Sequence, residues 1–454
     1  MPDLLRTVCS EGSLGPPEAD SSGDWFRLRL AIVVAAGLVW RLGLLIVDKW
    51  HQELLFNDSI YYSAWAKQLT EGRFFREVFT DLPTAEHGPL TSVLMAPVSW
   101  MSDPVPYQRL VTVLCGAATI AVIGLLGRAL KGDRVGIVAA AIAALYANLW
   151  INDGLVMSES VSVLAVSAVL LSAHHVVIRG RRDMRSMALL GGLCGLATLA
   201  RSEVALFVPI VAVMVIVMAP GTTGAAAAPI RQRVTGAGVL VAVAVAVTLP
   251  WVGPNLVRFE RPALLSTNDG TTLLGAYCDA SFFGPNKGGW TIECVFEHPT
   301  YDIDVDATVR GPRQREAAID YARDHVGDLP KVVAARILRT VDLYGIDTLL
   351  ESDVGDERPR WAAWTGIVSW WILAPIALAG WLLLPARSKW LFAMPVATVF
   401  VVAAVFYGGH RIRSTLEPVV VVCAAVALVA AWDFARPVRA SGHSGPDAPH
   451  GSAK

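Results

Sequence analysis

Apolar positions along this chain fall in long unbroken runs, not in the alternation of strands or the narrow stripe of a soluble helix. The first run, 28–47, has about twenty mainly apolar residues, enough to cross the roughly 30 Å hydrocarbon layer as a helix. Further runs lie at 107–130, 135–150, 156–178, 234–252, 361–384, 390–407 and 416–432. The stretch 186–218 is apolar except for Arg201-Ser202-Glu203 and has basic loops on both sides, so it is expected to cross twice as two short helices. The pattern therefore predicts an all-α polytopic membrane protein of about ten transmembrane helices.

Polar positions fix the expected orientation. Arg27 and Arg29 precede the first run, Arg128, Lys131 and Arg134 lie between the second and third, and 179–185 reads RGRRDMR. Short basic loops mark the cytosolic side, which puts the N-terminus inside and two long segments outside. The exception is His410-Arg411-Ile412-Arg413, basic yet expected on the outer face. The organisation expected is a polar cytosolic tail at 1–27 and an N-terminal membrane domain at 28–252 with its first external loop at 48–106. An extracytoplasmic segment of about a hundred residues follows at 253–360, then C-terminal membrane helices at 361–434 and a second polar tail at 435–454. Composition agrees: 54% of the 454 residues are hydrophobic and 17% charged, and the net charge of -1 gives no footprint for nucleic acid.

The first external loop carries the densest candidate chemistry. Asp58, Tyr62, Ala66 and Leu69 share one face of an expected helix that Gly72 can end in a left-handed cap, which sets Asp58 in its first turn. A carboxylate there either caps backbone amides or serves as a general base at the bilayer surface. Glu86 and His87 follow within the loop, and 90–100 is too short to span. In the second external segment, Cys278 and Cys294 stand apart from the other four of six cysteines, which suits a disulfide. Asp302, Asp304 and Asp306 read as a solvated acidic face, and 312–343 reads as one helix.

The remaining polar groups converge on the same outer surface: Asp153 and Glu159 around the third and fourth spans, Arg201 and Glu203, and His410, Arg411 and Arg413. Ionisable groups at span ends are costly unless paired or facing water, so a shared polar cavity is expected. Arginine grips phosphate through a planar fork, and a nearby carboxylate can take a proton from an attacking hydroxyl.

These motifs, in this order, resemble the GT-C membrane glycosyltransferases, in particular the family 39-like group of protein mannosyltransferases and aminoarabinose transferases. The residues are Asp58 with Tyr62, Ala66, Leu69 and Gly72, then His87-Gly88-Pro89-Leu90, Met157-Ser158-Glu159, Leu199 to Glu203, and Arg411-Ile412-Arg413 with Glu417-Pro418. The resemblance implies a sugar donor linked to a polyprenyl phosphate, transfer to a protein, glycan or lipid acceptor, Asp58 as the catalytic acid group, and Arg201, Arg411 and Arg413 as phosphate contacts. It also implies a cell-membrane protein with its site on the extracytoplasmic side. Two departures stand out. Ser59 replaces a second acid common in that group, which weakens any case for the divalent cation otherwise left open, and His87-Gly88-Pro89 replaces His-Pro-Pro. The rival expectation is a transporter or lipid-linked-sugar flippase, against which stand the lack of an internal repeat and charges gathered at span ends.

Overall fold

A computed structural model describes residues 21–218 and 229–435. Most of the two polar tails expected at 1–27 and 435–454 lies outside the described residues. The first helix, α1 (Ser21–Leu44), begins ahead of residue 28, where the first apolar run starts. Then come α2 (Asp58–Thr70), α3 (Leu90–Met95), α4 (Val105–Lys131), α5 (Asp133–Leu145), α6 (Glu159–Ala173), α7 (Met184–Ala200), α8 (Phe207–Val217) and α9 (Ile230–Asn255). The second external segment contributes α10 (Asp269–Ala276), α11 (Ala307–Asp324), α12 (Leu329–Thr340) and α13 (Ile346–Gly355). The chain closes with α14 (Arg360–Leu382), α15 (Ala386–Val405) and α16 (Glu417–Ala435). No strand occurs among the described residues beyond one isolated bridge, Arg76 with Pro83.

Seven helical stretches among the described residues are long and apolar enough to cross a membrane, against the ten spans expected. The other three expected runs are helical but shorter: α7, the stretch Ser202–Val217 that ends in α8, and α5. Shortness is tolerable here because neighbours cover them. Ala139, Ala140 and Ala143 of α5 are fully buried, and α5 packs along α4, α7 along α9, and α14 along α16. Small residues permit these approaches, since lipid supplies no hydrophobic drive between helices and close backbone packing must hold them. A Cβ at Gly191 would lie 2.3 Å from the Leu240 carbonyl oxygen, and one at Gly380 would lie 1.8 Å from that of Cys423. One apolar core runs from Phe26 through Leu170 and Leu240 to Val426.

The first external loop is clasped by the start of the second segment. Trp65, Phe75 and Ala85 pack with Trp251, Phe259 and Ala263. Arg258 donates to the carbonyls of Phe75 (2.6 Å) and Thr84 (2.5 Å), and the Thr267 amide donates to that of Ala85 (2.9 Å). Two expectations for the second segment change. The helix expected over 312–343 is broken into α11 and α12, because Pro330 lacks the amide to continue a helix and instead sits in the first turn of the next one. Of the three aspartates, Asp302 and Asp304 are exposed, but Asp306 is buried and caps α11, accepting from the Thr308 amide at 2.8 Å. Cys278 and Cys294 are bonded, with Cα atoms 6.4 Å apart.

Candidate functional site

The site forms where the ends of α2, α6 and α7 meet the turn that precedes α16. Asn57, not Asp58, caps α2: its side chain accepts from the Ser59 amide at 2.8 Å. Asp58 is thus free of capping duty, and its side chain, 32% exposed, turns to Arg411, whose Nη2 lies 2.5 Å from Oδ2. His87 Nε2 is 3.7 Å from the other oxygen, and the ring packs on Tyr62, Trp65 and Tyr61. Tyr62, one turn after Asp58, is buried, as the helical spacing requires. Gly72 follows α2 with φ of 72°.

Arg411 also donates through Nε to Glu159, the fully buried first residue of α6, and its Nη1 is 3.7 Å from Asp356. Arg201, at the end of α7, lies 3.5 Å from Glu159 and 2.5 Å from Glu203. The close seating of the His87 turn on α7 depends on Gly88, where a Cβ would meet the carbonyl oxygens of Leu199 at 2.4 Å and Ala200 at 2.9 Å. Asp58, His87, Glu159, Arg201, Glu203 and Arg411 are therefore one cluster drawn from residues hundreds of positions apart.

Burial raises the Asp58 carboxyl, but Arg411, with His87, outweighs it and holds the group well below the usual carboxylate range. Burial lowers His87 despite the nearby Asp58. Glu86 belongs to a neighbouring group: it faces Arg310 at 3.4 Å, and burial with the adjacent Glu77 pushes its carboxyl up to about 7.

Three candidates are engaged elsewhere. Asp153 is an internal lock, 2.6 Å from Arg41 of α1 and 2.6 Å from Ser160 Oγ, with the Arg41–Asp153 pair almost fully buried. Arg413 is enclosed by Asp342 (2.8 Å), Glu417 (2.7 Å) and the Trp370 ring (3.9 Å), so a phosphate has no path to its guanidinium. His410 is clamped with Nδ1 2.9 Å from Asp342 and Nε2 2.8 Å from Asp353; burial opposes its charge, but the two carboxylates raise it to about 9.

The residues that hold this arrangement escaped the sequence. Asp353, Asp356, Glu357 and Arg358 form a knot just before α14. Arg358 reaches Asp353 (3.1 Å), Asp356 (2.8 Å) and Asn152 (3.0 Å). Glu357 accepts from the Leu55 amide (3.1 Å) and Ser59 Oγ (3.2 Å), on either side of Asp58, and pairs with fully buried Arg109 at 2.7 Å. Asp342 and Glu357 both have positive φ, 57° and 66°, a strained choice for non-glycine residues that the surrounding ion pairs sustain. The one available signal was the run DVGDER at 353–358, with three acids and an arginine in six positions.

Among the described residues no three His, Cys, Asp or Glu side chains are arranged to hold a metal ion. The groups that meet the Asp58 carboxylate are the guanidinium of Arg411 and the His87 ring, and a cation beside it does not fit a divalent metal ion.

Residues 101–251 match the family model described as dolichyl-phosphate-mannose-protein mannosyltransferase. The oligosaccharyltransferase of Archaeoglobus fulgidus in its apo form superposes with a TM-score of 0.54 at 14% identity, over 90% of this chain and 51% of that one. The chain shares the fold of this oligosaccharyltransferase. An oligosaccharyltransferase AglB from the same archaeon, in complex with an inhibitory peptide and a dolichol-phosphate, gives a TM-score of 0.55 at 16% identity, over 92% and 51% of the two chains. ArnT from Cupriavidus metallidurans in the apo state superposes at 0.41 with 15% identity, over 90% and 76%. Among curated proteins no sequence matches the chain. The chain spans about half the length of the oligosaccharyltransferases it resembles. Within this fold, the Asp58 to Arg411 cluster lies at one end of the helix bundle, where α6 and α16 begin and α7 ends.

Proposed function

We propose that this integral membrane protein transfers a sugar from a polyprenyl-phosphate donor to an acceptor hydroxyl on a protein, glycan or lipid, at the extracytoplasmic face of the cell membrane. The observation that carries the reading is the single guanidinium of Arg411 spanning Asp58 and Glu159 at the end of a membrane bundle. It sets a phosphate-binding group beside a candidate base, as a displacement at the donor sugar requires. The archaeal AglB that shares the fold is described in complex with a dolichol-phosphate, which agrees with a lipid-phosphate ligand.

In this scheme the acceptor hydroxyl passes its proton to the Asp58 carboxylate as its oxygen bonds the anomeric carbon. The bond from that carbon to the phosphate oxygen breaks, and the polyprenyl phosphate leaves with its charge on Arg411, with Arg201 alongside. One displacement inverts the anomeric centre. His87 sits beside the base with buried Tyr62 packed on its ring, and Glu86 precedes it in the loop, facing Arg310. No step runs through a metal ion, so EDTA leaves transfer unchanged. The test incubates membranes with labelled polyprenyl-phosphate sugars, with and without the protein. A labelled product distinct from the donor lipid supports transfer, whereas donor that only changes leaflet identifies a flippase.

A further inference from the structure

One guanidinium in this site faces three carboxylates. Arg411 Nη2 lies 2.5 Å from Asp58, Nε donates to Glu159, and Nη1 is 3.7 Å from Asp356. The second oxygen of Glu159 is buried without a hydrogen-bond partner. Arg201 and Arg358 neutralise part of this charge from the side, at 3.5 Å from Glu159 and 2.8 Å from Asp356. An anionic phosphate approaching Arg411 therefore meets an acid at each nitrogen of the cation it needs, and like charge repels it unless one acid yields its place.

The acids differ in how freely they can yield. The Glu159 side chain is 0% exposed and that of Asp356 13%, each held by a second arginine, whereas Asp58 is 32% exposed. Asn57 supplies the cap of α2, so Asp58 can move without unwinding its helix. A carboxylate tied to an arginine is also a weak proton acceptor, so Asp58 as placed here is restrained in the very role assigned to it.

We propose that Arg411 is an exchangeable clasp: without donor it holds Asp58, and the donor's phosphate takes over Nη2, releasing the carboxylate to accept the acceptor's proton. The proposal rests on the reading of Arg411 as the phosphate contact given above. Glu159 keeps Nε throughout, so the guanidinium changes one partner without losing its place. The exchange orders the reaction, donor before deprotonation, and keeps the base idle while no donor is bound.

The clasp has a consequence that a purely attractive role for Asp58 does not share, because removing its charge removes a competitor of the phosphate. In the purified full chain in detergent, Asp58→Asn binds undecaprenyl phosphate about fivefold more tightly than wild type, or better, the gain expected when an ion-paired rival is lost. Asp58→Ser shows the same gain. Undecaprenol, which has no anion, shows none, and neither does Asp304→Asn, which removes an exposed carboxylate outside the site. Equal or weaker binding by both Asp58 variants overturns the clasp and leaves the functional reading standing, and so does an equal gain for undecaprenol. Failure of the wild-type protein to bind undecaprenyl phosphate overturns both.

Discussion

At the scale of single residues, the account turns on which polar groups are free to act and which are tied into the scaffold. Glu86 is the clearest titratable case outside the cluster. Its folded pKa of about 7 lies above the ordinary 4.5, so the stability linked to it is present at low pH and is lost as pH rises through about 7. Glu86→Gln, permanently neutral, removes that loss: thermal melts from pH 5 to 8 fall less steeply for the variant than for wild type. Gly88 is a steric case. Any Cβ there meets backbone carbonyls at 2.4 and 2.9 Å, and backbone cannot step aside as a side-chain end can. Gly88→Ala costs about 1–3 kcal/mol, read as a lower melting temperature, and lowers transfer by shifting His87. The sequence marked Asp58, Glu159, Arg201 and Arg411 because charges at span ends need partners. It could not separate them from Asp153 and Arg413, which obey the same rule but find their partners inside the bundle.

At the scale of elements, the second external segment serves as the frame for the first loop and for the turn at 408–413. Its last part brings Asp342 and Asp353 to His410 and brings Glu357 to both sides of Asp58. The folded pKa of His410, about 9, is raised above its usual 6.5, so this clamp contributes its full stability below pH 6.5 and loses it as pH rises through about 9. His410→Gln flattens the melting temperature between pH 7 and 10 where wild type declines. The disulfide closes a loop with a sequence separation of 16, worth about 3 kcal/mol in the chain-entropy account. Mass spectrometry of unreduced peptides recovers Cys278 linked to Cys294, and both alkylated before reduction contradicts the bond. The helices were legible because apolar runs at this length have few alternatives in lipid. The break before α12 has a local signal in Pro330, since a proline suits the first turn of a helix and not its interior. The knot at 353–358 was not legible, since its meaning depends on contacts with Arg109, Asn152 and Arg411 that no local pattern announces.

At the scale of the whole molecule, the bundle gathers its unpaired-looking charges at one end and covers that end with the segments 48–106 and 253–360. Cysteines introduced at Arg181 and Gly284 should react with impermeant reagents from opposite sides of the membrane, and labelling from the same side contradicts the arrangement. The role proposed for Asp58 is that of the base in a sugar transfer that Arg411 prepares. It is tested most directly by the turnover of Asp58→Asn in proteoliposomes supplied with a labelled polyprenyl-phosphate sugar and membrane acceptors. Asparagine keeps the shape of the side chain, and the helix cap is already supplied by Asn57, so folding and insertion are preserved. The account predicts that transfer falls by about 10²- to 10⁴-fold at normal expression. Transfer by Asp58→Asn within a few fold of wild type would contradict it.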